Sequence, residues 1–196
     1  MSEAPAATAT KVVIAEDEAI IRLDLKEMIE EEGLEVVGEA ADGDAALRLA
    51  RERAPDLVIM DIKMPGMDGL TAAERIVEQG LSAVIILTAF SQRELVQRAA
   101  QAGAMGYLVK PFQKSDLMPA IEVALARHAE LAAVKAESAD LAERLATRKL
   151  IDRAKGRLID GQGMSEAAAF RHLQKRAMDE RRPMKAVAED VLTGTD

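Results

Sequence analysis

The 196-residue chain contains no cysteine, which excludes disulfides, thiolate metal sites and thiol nucleophiles. Two histidines leave too few ligands for a multi-histidine metal centre. The opening MSEAPAATATK has no basic stretch leading into an apolar core, so it does not read as a secretory signal. No apolar run approaches the roughly 18 residues that suggest a membrane span. No internal repeat or low-complexity segment stands out. These absences point to a cytoplasmic protein with no membrane partner.

About half the residues are apolar and 31% are charged, a globular composition. The length lies between one generous domain and two modest ones. The net charge of −8 is unevenly placed. Residues 147–196 carry 11 Lys+Arg against 8 Asp+Glu, whereas 1–146 carry 15 against 26. Within 147–187 the balance is 11 against 5. An acidic front and a basic rear suggest two units with different partners, the rear one suited either to a polyanion or simply to a solvated helical surface.

Residues 1–10 are small and polar and read as a flexible tail. Short apolar runs then alternate with helical patterns. KVVIAE (11–16), LEVVGEA (34–40), DLVIMD (56–61), AVIILT (83–88) and MGYLV (105–109) read as strands. Helices fall between them: 18–33 closing on Gly33, one after Asp42-Gly43 ending before Pro55, one ending on Gly80, and one capped by Ser91 and running through Ala102. This alternation predicts a parallel sheet covered on both faces. From Lys114 onward no strand signal returns. Leu117, Ile121, Ala124, His128, Leu131, Val134, Leu141 and Leu145 predict one long helix, with Pro119 in its first turn. Its thin apolar seam would allow a homodimer formed on activation. Two amphipathic helices (146–160 and 164–180) flank GQG, and Pro183 opens a last short helix.

In an open parallel sheet, chemistry sits beyond the carboxyl ends of the strands. Glu16 and Asp17 follow the first strand, Asp61 ends the third, Thr88 ends the fourth, and Lys110 follows the fifth. Three carboxylates in one crevice repel one another, a conflict that Mg²⁺ with its preference for oxygen ligands resolves. An aspartate can accept a phosphoryl group covalently, and a lysine and a hydroxyl opposite would bind the transferred oxygens. Taken singly, Glu16-Asp17 reads more readily as a helix cap, Thr88 as a strand-end hydroxyl, Tyr107 as a core aromatic and Lys110 as a solvated lysine before a turn.

VVIAEDE, PDLVIMDIKMPGMDG, IILTAF and GYLVKPF together closely resemble the landmarks of response-regulator receiver domains. The resemblance implies a flavodoxin-like α/β fold with strand order 2-1-3-4-5, followed here by a long linker helix and a small three-helix all-α domain. It implies phosphorylation of Asp61 by a sensor histidine kinase. Glu16, Asp17, Asp61 and the backbone carbonyl of Lys63 would hold Mg²⁺. Thr88 would move toward the phosphoryl group, Tyr107 would rotate inward, and Lys110, aimed by a cis bond to Pro111, would pair with a phosphoryl oxygen. No catalysis is implied beyond self-phosphorylation and autodephosphorylation.

The rear segment resembles the ANTAR domain, an RNA-binding antitermination module, through RAKGRL, GMSEAAAFRHLQKRAM and RRPMKAVAEDVL. The implied division is tail 1–10, receiver 11–130, helical linker 131–146 and ANTAR-like domain 147–196. Ala154 and Gly156 would pack the first helix closely. Ala169, Phe170, Leu173 and Ala177 would form the core of the second, and Val187, Ala188 and Val191 that of the third. RNA hairpins would be held by Arg148, Lys149, Arg153, Lys155, Arg157, Lys175, Arg176, Arg181, Arg182 and Lys185. With Phe170 in the core, arginine stacking would do most of the base reading. A receiver-controlled DNA-binding factor or a protein-interaction module are the alternative outputs; GQG between two long helices, with no short turn into a recognition helix, speaks against the first.

Overall fold

The protein is described by a computed structural model over residues 9–89 and 93–194. Two compact units divide the chain, Met1–Ala132 and Ala133–Asp196. In the first, strands β1 (Lys11–Ala15), β2 (Glu35–Ala40), β3 (Leu57–Asp61), β4 (Ala83–Thr88) and β5 (Gly106–Val109) alternate with helices α1 (Ala19–Glu31), α2 (Gly43–Arg53), α3 (Gly69–Glu78) and α4 (Arg93–Gln101). Every strand pair is parallel, in the order β2-β1-β3-β4-β5. The flavodoxin-like architecture expected from the sequence is the one observed.

Period-two alternation in the strands explains the two layers of helices. Val13, Val58, Met60, Val84 and Ile86 pack with Ala46, Ala50, Ala73 and Ile76 of α2 and α3. Their neighbours Val12, Ile14, Ile59, Ile85 and Leu87 point the other way, onto Leu25 and Ile29 of α1 and Leu117, Ile121 and Ala124 of helix α5 (Lys114–Gln162). Burial on both faces is why the strands read as near-continuous apolar runs. Caps fix where two helices start: Asp42 accepts from the Ala45 N–H at 2.7 Å, and Asp68 accepts from that of Thr71 at 2.8 Å. The expected Ser91 cap lies outside the described residues.

Helix α5 is 49 residues long, so the long helix and the first of the two rear helices are continuous. Pro119 is its sixth residue rather than part of its first turn, so the Ser115 carbonyl lacks its usual intrahelical donor. The expected seam divides in two. Leu117, Ile121 and Ala124 are buried against the sheet, whereas Leu131, Val134, Leu141 and Leu145 are exposed. No helix among the described residues is long and apolar enough to cross a membrane.

The second unit packs the end of α5 against α6 (Glu166–Asp179) and α7 (Met184–Thr193). Ala154, Leu158, Ala169, Leu173, Ala177, Val187, Ala188 and Val191 form its core. Two expectations fail here. A Cβ on Gly156 would meet nothing within 4 Å, so this glycine does not serve close packing. Phe170 is 43% exposed and is no core residue, because α6 turns Ala169, Leu173 and Ala177 inward instead. The turn after α6 places Arg181 at φ +52°, a left-handed conformation that glycine usually fills.

Polar contacts close the unit. Arg182 reaches Asp190 at 2.7 Å and Glu180 at 3.0 Å, while Arg176 reaches Glu180 at 2.6 Å. The Arg157 guanidinium donates to the Leu192 carbonyl at the end of α7. Arg176 and then Arg182 hold the Glu180 carboxyl below its ordinary value, and Arg182 holds that of Asp190 down. A carboxyl lowered by folding contributes stability above its unfolded pKa and loses it as pH falls. Acidification from about pH 4.5 downward should therefore reduce amide-exchange protection across α6 and α7 in the full chain, and less so in Asp190→Asn. Gly156→Ala, with open space at its Cβ, should stabilise the unit by about 0.5–1 kcal/mol, read as increased protection at the same amides.

Candidate functional site

The strand order sets where a site can form. α1 returns the chain from β1 to β2 on one side, and β3 then joins the opposite edge of β1. The carboxyl ends of β1 and β3 thus flank the point where the connections diverge, the usual ligand crevice of such sheets. Here the structure brings together Glu16 after β1, Asp61 at the end of β3, Thr88 at the end of β4, and Lys110 after β5.

Glu16 is fully buried, and Asp61 and Thr88 nearly so. The Lys110 ammonium lies between the two carboxylates, donating to Glu16 Oε2 and standing 3.1 Å from Asp61 Oδ2. The other oxygen of each carboxylate is held by backbone. Glu16 Oε1 accepts from the Glu18 N–H at 3.2 Å, and Asp61 Oδ1 accepts from the Ile62 N–H at 2.8 Å. Burial pushes the Glu16 carboxyl above its ordinary value, and the Asp61 charge adds to this against the Lys110 hydrogen bond. Burial works against the Lys110 charge, but the Glu16 hydrogen bond and the Asp61 charge outweigh it, so its pKa is raised. The ammonium stays protonated.

Lys110 is positioned from its backbone. Its N–H donates to the Thr88 carbonyl at 2.8 Å, tying the end of β5 to that of β4, and the Lys110–Pro111 bond is cis, as expected. Asp17 is exposed at the mouth. Carboxylate oxygens of Glu16, Asp17 and Asp61 lie within 4.8 Å of one another, a hard-oxygen set suited to a divalent cation such as Mg²⁺. Asp17, Asp61, Lys63, Thr88 and Lys110 line a crevice of about 260 Å³. Tyr107 is 50% exposed on β5, so it is not the core aromatic that it resembles when taken alone.

One residue of this site escaped the sequence reading. An ideal Cβ on Gly69 would fall 1.9 Å from the Asp61 carbonyl oxygen, and the Gly69 N–H donates to the Ile62 carbonyl at 3.0 Å. The start of α3 thus closes onto the backbone of Asp61, and only a residue without a side chain fits. The Asp68 cap immediately before Gly69 was the available signal.

The basic residues of the second unit sort into two groups. Lys155 pairs with Asp152 and Glu166, Lys185 reaches Glu143 at 3.5 Å, and Arg157, Arg176 and Arg182 make the closing contacts described above. Arg148, Lys149, Arg153, Lys175 and Arg181 are exposed and form no ion pair among the described residues. Arg171 belongs with them and was not singled out from the sequence.

The fold and the acidic crevice define a receiver domain, and comparison with known proteins agrees. Residues 12–122 match the model of the response regulator receiver domain, and residues 139–192 match that of the ANTAR domain. The chain belongs to the response-regulator family and carries both domains. It is 56% identical over 191 residues to the transcriptional regulatory protein PdtaR of Mycobacterium tuberculosis, covering 97% of this chain and 93% of that one. The receiver domain of the putative response regulator NarL from M. tuberculosis superposes with a TM-score of 0.58 at 32% identity, covering 60% of this chain and 97% of that one. A CheY from Borrelia burgdorferi, solved in complex with CheX, BeF₃ and Mg²⁺, superposes with a TM-score of 0.54 at 29% identity, covering 57% and 86%.

Gly69→Ala should displace the Asp61 carbonyl or the start of α3 and destabilise the first unit by about 1–3 kcal/mol, the usual range for overpacking. Thermal melting followed by circular dichroism, together with Mg²⁺ titration by calorimetry, checks this. Both melting temperature and Mg²⁺ affinity should fall.

Proposed function

We propose that the chain is a phosphorylation-dependent response regulator whose output is RNA binding. The observation that carries the first half is the buried Glu16–Lys110–Asp61 cluster at the carboxyl ends of the strands. Asp61 accepts the phosphoryl group of a sensor histidine kinase: its carboxylate oxygen forms the new O–P bond as the N–P bond of the phosphohistidine breaks. Glu16, Asp17, Asp61 and the carbonyl of Lys63 would hold Mg²⁺, which when bound would offset charge on the phosphoryl oxygens. Lys110, already charged and 3.1 Å from Asp61, passes to a phosphoryl oxygen. Thr88 closes on the same group, and half-exposed Tyr107 turns toward the space that Thr88 vacates. The Borrelia CheY, solved with BeF₃ and Mg²⁺, supports this pairing of a metal with a phosphoryl-like group.

The ANTAR match and the exposed cations of the second unit support the other half. RNA hairpins are the ligands, transcription antitermination or translation is the process controlled, and the receiver's phosphorylation sets the affinity, with homodimer formation accompanying activation. The chain works in the cytoplasm as an acceptor and switch, with no substrate of its own to turn over.

Incubation with acetyl phosphate and Mg²⁺ should add one phosphoryl group by intact mass, and Asp61→Asn should abolish it. RNA hairpins selected from a random-loop pool on the phosphorylated chain should bind more weakly without phosphodonor, and their affinity should fall with salt. Equal affinity with and without phosphodonor across a salt series would sink the switching half of the reading. Displacement of the hairpins by duplex DNA would favour a DNA-binding output.

A further inference from the structure

Phe170 is the only Phe, Tyr or Trp after Phe112, and α6 leaves it 43% exposed while burying alanines and a leucine beside it. Leaving a ring in water forgoes the stabilisation that its burial would give. Gln174 and Met178 follow on the same face at four and eight residues, and Met178 is 72% exposed. Arg171 and Lys175 run alongside, exposed and without an ion pair among the described residues.

Beside Phe170 lies a crevice of about 640 Å³, lined also by Ile151 and Met184 and by Arg148. A flat heterocycle fits comfortably within that volume. The carboxylates sharing the crevice are already engaged. Asp140 is paired with Arg144 at 2.9 Å, Asp152 with Lys155 at 2.8 Å, and Glu143 with Lys185 at 3.5 Å. Arg148 is left as the cation at this crevice that closes no ion pair among the described residues. A π face, apolar walls and an exposed guanidinium, its charge only partly offset by Asp152, match a base and its phosphate better than an apolar protein segment, which would strand the charge.

We propose that this crevice takes one unpaired base of an RNA loop, stacked on the Phe170 ring, with the adjoining phosphate on Arg148. The inference deepens the RNA-binding reading above and rests on it. It moves base recognition from the arginines alone to an aromatic platform.

The test uses the full-length chain and one hairpin enriched from a random-loop RNA pool on the wild type, with the same stem closed as a plain duplex for comparison. Phe170→Ala should weaken hairpin binding about tenfold or more and leave the duplex unchanged. Phe170→Leu, which keeps apolar bulk without a π face, should lose nearly as much, whereas Phe170→Trp should retain affinity. Arg148→Ala should weaken binding and lower the salt slope by about one. Wild-type affinity in Phe170→Leu overturns the proposal, as does equal weakening of hairpin and duplex by Phe170→Ala. So does a change of self-association by light scattering in Phe170→Ala with hairpin affinity intact, which would make the crevice an interface between copies. A pool that yields no binding hairpin removes the RNA-binding reading and this inference with it.

Discussion

The receiver is organised around one ammonium group. Two carboxylates nearly or wholly out of water, Glu16 and Asp61, cannot both stay ionised side by side unless a cation lies between them. Lys110 supplies that cation, and much of the surrounding geometry serves to hold it there. Parallel pairing of β4 with β5 fixes its backbone, the Thr88 carbonyl takes its N–H, and backbone amides occupy the carboxylate oxygens that it does not reach. The burial that makes the cluster costly also makes it responsive. A ligand bringing new charge to Asp61 must redistribute the three partners, because none can be left unpaired at low cost.

The sheet and its helices were legible because both-face burial writes unbroken apolar strands, and residues such as Gly33, Asp42-Gly43 and Gly80 mark where helices start or end. Most of the site was legible for a related reason: Glu16, Asp61, Thr88 and Lys110 sit at or just beyond strand ends, so placing the strands placed their chemistry. What stayed hidden depended on backbone proximity and on which way a helix faces. Gly69 looks like an ordinary loop glycine until the Asp61 carbonyl appears beside it. Phe170 has apolar neighbours at core spacing and so reads as core. The buried stripe of α6 runs through Ala169, Leu173 and Ala177 at a spacing of four, as expected, and Phe170, one position round the helix from Ala169, turns outward. Hydrophobicity states that some face is buried, but when small and large apolar residues are adjacent it does not say which.

The second unit shows why counting basic residues overstates a binding surface. Half of the cations singled out from its sequence are engaged within the unit itself, joining α5, α6 and α7 through Lys155, Arg157, Arg176, Arg182 and Lys185. A core of eight small and medium side chains buries little area, and these contacts supplement it. The charges left to meet a partner are fewer and lie on outward faces, among them Arg148, Arg171 and Lys175.

Arg181 illustrates how the two demands on that unit conflict. Its left-handed backbone would suit glycine, and an L side chain there costs on the order of 1 kcal/mol. An arginine at such a position adds an exposed charge at the expense of the turn. Directed evolution for heat tolerance alone would therefore tend to replace it by glycine, and variants selected that way would drift toward a firmer, less positively charged helical domain.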